Sequence, residues 1–427
     1  MEQNAGQNGF IELIFKCLEI MKKCCIFALG NYSTQPLTYI HTMKNTLENP
    51  VLSADLSNEI QDFLMAHYEI RYNTLTALPE FRKKDSGEAF KVLGKRELNT
   101  LFIMMQAEDI ECSEADVKRF LNSDFIPDHH PMMHYMETLP EWDGQDRVTP
   151  LAHRISQSLT FVNGFHRWML GMASQWMGRA ELCANALVPI LVSQEQGLGK
   201  STFCRSLLPP ELEFYYTDSL DVTRGNHVEQ RLGTMALINL DEFDQIGAAK
   251  MAKLKNVTQM KTCQYRRLYT NQFVMLPRMA SFIGTSNSNQ LLWDPTGSRR
   301  FLCVNVEKEI DKSPIDHAQL YAQLKAELLR GERCYLTHDE EREVEHDNLS
   351  FYHVLPEEDV FRQCYRIPES DEPCQELSAM TIFTRLQRHN PTAMRASNPQ
   401  KFGHTLLQMG VKRVHNREGN LYQVVAV

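Results

Sequence analysis

Paired cysteines are missing from this sequence. Eleven cysteines are present, yet no two stand in a C-x-x-C arrangement, and Cys24 and Cys25 are adjacent. Such spacing excludes a cysteine-clamped zinc module and a disulfide framework, and leaves free thiols of a reducing compartment. Long uncharged apolar runs are missing as well. The most apolar stretch, 10–29, is interrupted by Glu12, Lys16, Glu19, Lys22 and Lys23, so it lacks the ~20 uncharged residues of a membrane span and the unbroken centre of a signal peptide. It reads as an amphipathic helix of a cytoplasmic protein with no membrane partner. Internal repeats are absent. Positive charge is in deficit, with a net charge of −9, which excludes a wholly basic nucleic-acid coat. The last 49 residues are the exception: seven basic side chains stand there against one acid, Glu418. A basic tail on an acidic body points to a polyanionic partner for that end.

A chain of 427 residues has room for two or three domains. Residues 1–150 read as mostly helical. Ile60, Phe63, Leu64 and His67 fall at helical spacing, "ELNTLFIMMQAE" (97–108) is amphipathic, and Ser113 with Asp116 forms a capping-box start. "LPEWDGQDR" (139–147) reads as a turn-rich junction. Residues 151–365 change character. Helical stretches near 150–158 and 163–181 precede the apolar runs "ALVPILVS" (186–193), "TMALINL" (234–240), "MASFIGT" (279–285) and "FLCVNV" (301–306). Short apolar strands without alternation, separated by longer segments, predict an α/β core with a buried parallel sheet. Charged helices return from 307 to about 365, residues 366–378 read as a polar linker, and 379–427 as a small separate module.

The chemistry centres on "SQEQGLGKSTF" (193–203). A phosphate-binding loop, G-x-x-x-x-G-K-[ST], would have glycine where this chain has Gln194. The remainder is intact and lies between an apolar strand and a helical pattern, the setting in which backbone N–H groups converge on an anion. Gly197 and Gly199 let the chain wrap phosphate, Lys200 reaches the β- and γ-phosphates, Ser201 ligates Mg²⁺, and Thr202 completes the cradle. "ALINLDEFD" places Asp241 and Glu242 at a strand end. Asp241 suits Mg²⁺ and Glu242 the attacking water, on the expectation that adjacent acids at a strand tip point to different sides. Asn287, leaving the "FIGTSNSN" strand, is expected near the γ-phosphate. Arg299 and Arg300 in "DPTGSRRF" are candidates for a finger reaching a neighbouring subunit's nucleotide. Between the acids and Asn287, Lys255, Lys261, Arg266, Arg267 and Arg278 are interleaved with Tyr265, Tyr269 and Phe273, a pattern suited to a hairpin that grips a nucleic-acid backbone.

The ordered set "QGLGKST", "LINLDEFD", "YRRLY…PR", "GTSN" and "DPTGSRRF" resembles the virulence-associated protein E family, and the segments "YEIRYNTLT" and "NGFHRWMLG" resemble its helical lead-in. Those proteins are similar to the superfamily 3 branch of AAA+ ATPases, which includes viral and phage primase-helicases. The resemblance implies a P-loop ATPase core using ATP and Mg²⁺, a homo-oligomeric and hexameric ring, and single-stranded or forked DNA as partner. No upstream primase domain is expected, so priming is not implied. The tail resembles a winged helix, with "PQKFGHTLLQMG" as recognition helix and Lys401, His404, Arg413 and Arg417 toward phosphate. The reading that follows is a ring-forming DNA helicase or translocase of a phage, mobile element or bacterial host. The alternatives are an ATP-gated DNA-binding switch without processive unwinding and a small-molecule P-loop kinase.

Overall fold

The computed structural model describes residues 54–179, 184–266, 273–293, 298–353, 355–369, 372–416 and 419–427. The chain divides into two compact units. One comprises the residues up to 70 together with 81–126, the other residues 71–80 and 127–427.

In the first unit the helices Ala54–His67, Lys95–Ala107 and Glu114–Leu121 follow the apolar periodicity. Ser113 and Asp116 close their capping box: the Ser113 hydroxyl accepts from the Asp116 N–H at 3.2 Å, and Asp116 accepts from the Ser113 N–H at 3.0 Å. The region before 150 is not simply helical, however. Strands Tyr68–Asn73, Leu78–Lys83, Lys91–Val92 and Asp128–His129 interrupt it. "YEIRYN" alternates Tyr68, Ile70 and Tyr72 with polar residues, and the parallel pairing of Tyr72 and Asn73 with residues 128–129 is a long-range contact that the sequence pattern does not carry.

The second unit is built on a five-stranded sheet, numbered here β1 (Val188–Val192), β2 (Tyr216–Thr217), β3 (Leu237–Leu240), β4 (Ser281–Ser286) and β5 (Phe301–Asn305), in the order β5-β1-β4-β3-β2. All four neighbouring pairs are parallel. Every residue of β1, β3 and β4 is buried, as a sheet covered on both faces requires, and this accounts for apolar runs without alternation. The backbones pack tightly at Gly284, where an added Cβ would lie 2.7 Å from Ile190 Cδ1 and 3.1 Å from Leu240 O. Helix Leu159–Trp176, buried along most of its length, is pinned to the sheet by the Trp168 indole, which donates to Phe282 O at 2.9 Å. Helix His317–Leu329 is held through the Tyr321 hydroxyl, donating to Leu207 O at 2.8 Å.

The terminal module starts earlier than its composition suggests. Tyr365 and Arg366 pair antiparallel with Ala426 and Val425, and Gln375–Ser378 pairs with residues 421–424. Residues read as a linker therefore supply two strands. Val360, Phe361 and Tyr365 share one core with Ile382, Phe402 and Val424. Helices Ala379–His389, Pro391–Met394 and Pro399–Gln408 precede the hairpin strands Arg413–Asn416 and Gly419–Ala426. No described helix is long and apolar enough to cross a membrane, and the described cysteines are all free thiols.

Candidate functional site

Three strands of the sheet, β1, β4 and β3, lie side by side and end on one edge. From their carboxyl ends leave the glycine loop, Asn287 and the acidic pair, so chain segments far apart in sequence meet where open α/β sheets bind ligands.

In the glycine loop, Gly197 and Gly199 take φ of +82° and +88°, conformations that strain any residue with a Cβ. They turn the chain from β1 into helix Lys200–Ser206. Lys200 is buried. Its ammonium donates to Asn287 Oδ1 at 3.0 Å, Ser193 O at 3.2 Å and Glu195 O at 3.5 Å. Burial holds its pKa below the ordinary lysine value, opposed by the negative charges of Asp241 and Asp244. These hydrogen-bond partners are all neutral, so the site holds a partly desolvated cation suited to an anionic ligand.

Asp241 accepts from the Ser201 hydroxyl at 3.4 Å and, closely, from the Thr285 hydroxyl. Glu242 follows it in the left-handed conformation, φ 51° and ψ 47°, an uncommon state for a glutamate and one concentrated at functional sites. The strand ends at Leu240, and Asp241 and Glu242 both line the same cavity. Asp244, which the sequence reading passed over, accepts from the Ser286 hydroxyl at 2.9 Å and the Asn287 N–H at 3.3 Å. It thereby fixes the turn that carries Asn287. Gly197, Gly199, Lys200, Ser201 and Thr202 border this cavity of about 340 Å³ together with Asp241, Glu242 and Asn287, a size within the ~300–1,000 Å³ of small-ligand sites. Thr285 and Lys312 also line it and were missed. Thr285 stood within the quoted "GTSN" but drew no attention without its partner Asp241. Lys312 comes from the segment after β5 and carries no motif.

The arginines divide. Arg299 is exposed and its guanidinium lies 3.1 Å from Glu341 Oε2. Arg300 is half-buried against the Gln259 amide, and burial, with the neighbouring Arg299 charge, lowers its pKa. Neither borders the cavity.

The basic hairpin exists as strands Thr262–Arg266 and Phe273–Pro277. Cys263 and Tyr265 face inward, while Arg266, Phe273 and Met275 are exposed, with the Arg266 guanidinium 5.5 Å from the Phe273 ring centre. Arg267 and Tyr269 lie outside the described residues. Arg278 corrects the sequence reading. It is fully buried and donates to Thr258 O at 2.6 Å, Ala280 O at 2.7 Å and Asn185 O at 3.0 Å. Its guanidinium ties three backbone segments together and is out of reach of any nucleic acid. In the terminal module Lys401 and Arg413 are exposed on the third helix and the first hairpin strand. Arg417 lies outside the described residues.

Residues 136–353, just over half of the chain, match the virulence-associated protein E-like domain. Residues 355–424 match a domain of unknown function from B. Theta. No curated protein matches the sequence. Among solved structures, the apo C-terminal region of NrS-1 (305-718) aligns at 10% identity and a TM-score of 0.43, covering 88% of this chain and 100% of that one. Its A form aligns at 12% identity with the same TM-score and coverage. Likeness at that level transfers no function.

Proposed function

The chain belongs to the virulence-associated protein E-like family, and from that premise we propose that it is a Mg²⁺-dependent ATPase acting on DNA, with an AAA+-like P-loop core and a winged-helix-like terminal module. The observation that carries this reading is the convergence of a buried Lys200, a two-glycine loop and the Asp241–Glu242 pair on one strand edge. Lys200 offsets the β- and γ-phosphate charge, and the N–H groups of the glycine loop wrap the same oxygens. Ser201 and Asp241, already hydrogen-bonded to each other, would hold Mg²⁺, which when bound neutralises charge on the phosphate oxygens. Glu242 takes the proton of the attacking water. Asn287, bonded to Lys200, senses the γ-phosphate, and loss of that phosphate frees the amide for a different partner. Arg299 or Arg300, set away from the cavity of their own chain, suit the cavity of a neighbour in a hexameric ring. Movement of the hairpin bearing Arg266 would then pull on single-stranded or forked DNA.

The test is ATP turnover with and without single-stranded DNA, beside particle size with a non-hydrolysable analogue and a forked-duplex unwinding assay. DNA-stimulated hydrolysis with ring-sized particles supports the reading. Stimulated hydrolysis without strand separation selects the ATP-gated switch. Turnover by a monomer indifferent to DNA rejects both.

A further inference from the structure

The terminal module holds a cleft of its own, with a volume of about 250 Å³. It lies between helix Pro399–Gln408 and the hairpin strands Arg413–Asn416 and Gly419–Ala426. The hairpin register explains its chemistry. Arg413 stands opposite Tyr422 and His415 opposite Asn420, and residues directly opposite each other share a face of the sheet. Tyr422 and Val424 carry that face into the core of the module, and Arg413 and Asn420 border the cleft beside it. The facing wall comes from the helix, where Pro399, Gly403 and Leu407, and Gln400 with His404, recur at intervals of four.

The floor of the cleft is fixed. The Tyr422 hydroxyl donates to Gly403 O at 3.2 Å, and a Cβ at Gly403 would lie 3.0 Å from that hydroxyl oxygen and 3.5 Å from Ala379 Cβ. Glycine at 403 and alanine at 379 leave a hollow that larger side chains would fill. The rim is polar. Gln400, His404 and Arg413 are exposed, and among the described residues no hydrogen-bond or ion-pair partner meets their side chains. Asn420 Oδ1 lies 3.0 Å from His415 Nδ1, which commits the oxygen and leaves the amide NH₂ to a ligand. The helix N-terminus is closed by its own cap, Asn398 Oδ1 accepting from Lys401 N at 2.8 Å, so recognition falls to the rim side chains.

From this geometry we infer that the cleft seats one unstacked base of a single-stranded nucleic acid, with Gln400 and Asn420 on its hydrogen-bonding edge and Arg413 on the adjoining phosphate. The inference rests on the proposed reading of the chain as a DNA-binding protein, and adds a site outside the ATPase core. Three observations favour this occupant. The volume is under the ~300–1,000 Å³ of drug-sized sites, which suits a single ring system. Leu407, Ala379 and the His404 ring offer contact to a flat face, and carboxamides pair with base edges. The last 49 residues carry seven basic side chains against one acid, a field that attracts a phosphate backbone. A duplex keeps its bases stacked and paired. Gln400, His404 and Leu407 are exposed on the helix, yet the hairpin stands over them and makes a cleft where a major groove would need a ridge.

The experiment measures binding of the full chain to a short single-stranded DNA, to an abasic sugar-phosphate strand of equal length, and to a blunt duplex, with a non-hydrolysable ATP analogue present throughout. Wild type should prefer the intact strand to the abasic one ~5–50-fold, the range of one seated base. Ala379→Leu fills the hollow without changing charge. It should remove that preference, leaving affinity for the abasic strand and for the duplex unchanged. Arg413→Ala should weaken both single strands and reduce their log–log salt slope by ~0.7. Equal affinity of wild type for the intact and abasic strands overturns the assignment. So does an Ala379→Leu protein with the parental melting curve and the parental preference. A matching loss on the duplex would place the helix in a groove and overturn it as well. If Ala379→Leu does not fold, the exposed Gln400→Ala decides: it should weaken the intact strand alone, and an unchanged intact-strand affinity rejects the base site. Wild type that binds none of the three rejects the DNA-binding reading itself and the base site with it.

Discussion

Two cations of this molecule are buried for opposite reasons. Lys200 is desolvated among neutral acceptors beside a cavity, and under the proposed function a ligand phosphate would complete its shell. Lys200→Ala is therefore expected to abolish nucleotide binding. Glu242→Gln keeps every group that touches phosphate and loses the proton acceptor, so binding should persist while turnover stops. Equilibrium binding of a labelled nucleotide, beside phosphate release, separates the two, and normal turnover by Glu242→Gln would remove the base assignment. Arg278, by contrast, has its acceptors already, three backbone carbonyls from three segments. Arg278→Leu strands those carbonyls in the core at a cost of ~3–5 kcal/mol. The expected result is a large fall in melting midpoint, with unchanged DNA affinity in whatever fraction folds. Parental stability together with weakened DNA binding would restore Arg278 to the nucleic-acid surface.

Helix His338–Asp347 shows how one element is secured. Thr337 caps it, its hydroxyl accepting from Glu340 N and its N–H donating to Glu340 Oε2 at 2.7 Å. Glu340 also meets Arg333 through two bonds of 2.5 Å. The Arg333 bonds above all hold the Glu340 carboxyl down at about 2, well below its ordinary value. Because the folded value is depressed, this stabilisation is fully present above the unfolded glutamate pKa of about 4.3. It is lost as pH falls toward the folded value of about 2. Glu340→Gln retains reach to the Thr337 N–H but loses the charge. It should cost ~1 kcal/mol at neutral pH, and its deficit in denaturation midpoint should shrink through that acid window. A deficit independent of pH would locate the loss in packing. The same helix carries Glu341, which holds Arg299, so its integrity bears on where that arginine rests.

At the scale of the whole molecule, the arginines and the terminal module separate a ring from every monomeric reading. Lys200→Ala subunits keep their arginines, and Arg299→Ala/Arg300→Ala subunits keep their phosphate loop. Each preparation alone should be nearly inactive, since a finger contributes ~10³–10⁵ in rate, and mixing them should recover hydrolysis, most at equal proportions. Additive activity across all ratios would mean that the arginines do not act across subunits. Removal of residues 355–427 takes the terminal core away whole, because Val360, Phe361 and Tyr365 belong to it, whereas a cut at 378 would split its sheet. Basal ATPase should survive the longer removal, and the log–log salt slope of DNA binding should fall by ~0.7–0.9 per lost phosphate contact. An unchanged slope would make the module a protein-binding one.

The sequence by itself determined what is carried by neighbours along the chain. The four apolar runs became β1, β3, β4 and β5, and full burial on both faces accounts for the lack of alternation in β1, β3 and β4. Ser113 with Asp116 capped its helix, because a cap is decided within one turn. The glycine loop, Asp241, Glu242 and Asn287 were legible for the same reason: each motif sits on a single strand end. Only the tertiary structure decided how those ends meet. Strand order β5-β1-β4-β3-β2 brings Thr285 onto Asp241 and Asn287 onto Lys200. It also sets Lys312 beside Gly199, although nothing near Lys312 announces a site. The burial of Arg278, the pairing of Tyr68–Asn73 with Asp128–His129 and the membership of Tyr365 in the terminal core depend on partners far away in the chain. Such pairing is settled by packing among distant segments, which no local pattern of residue types records.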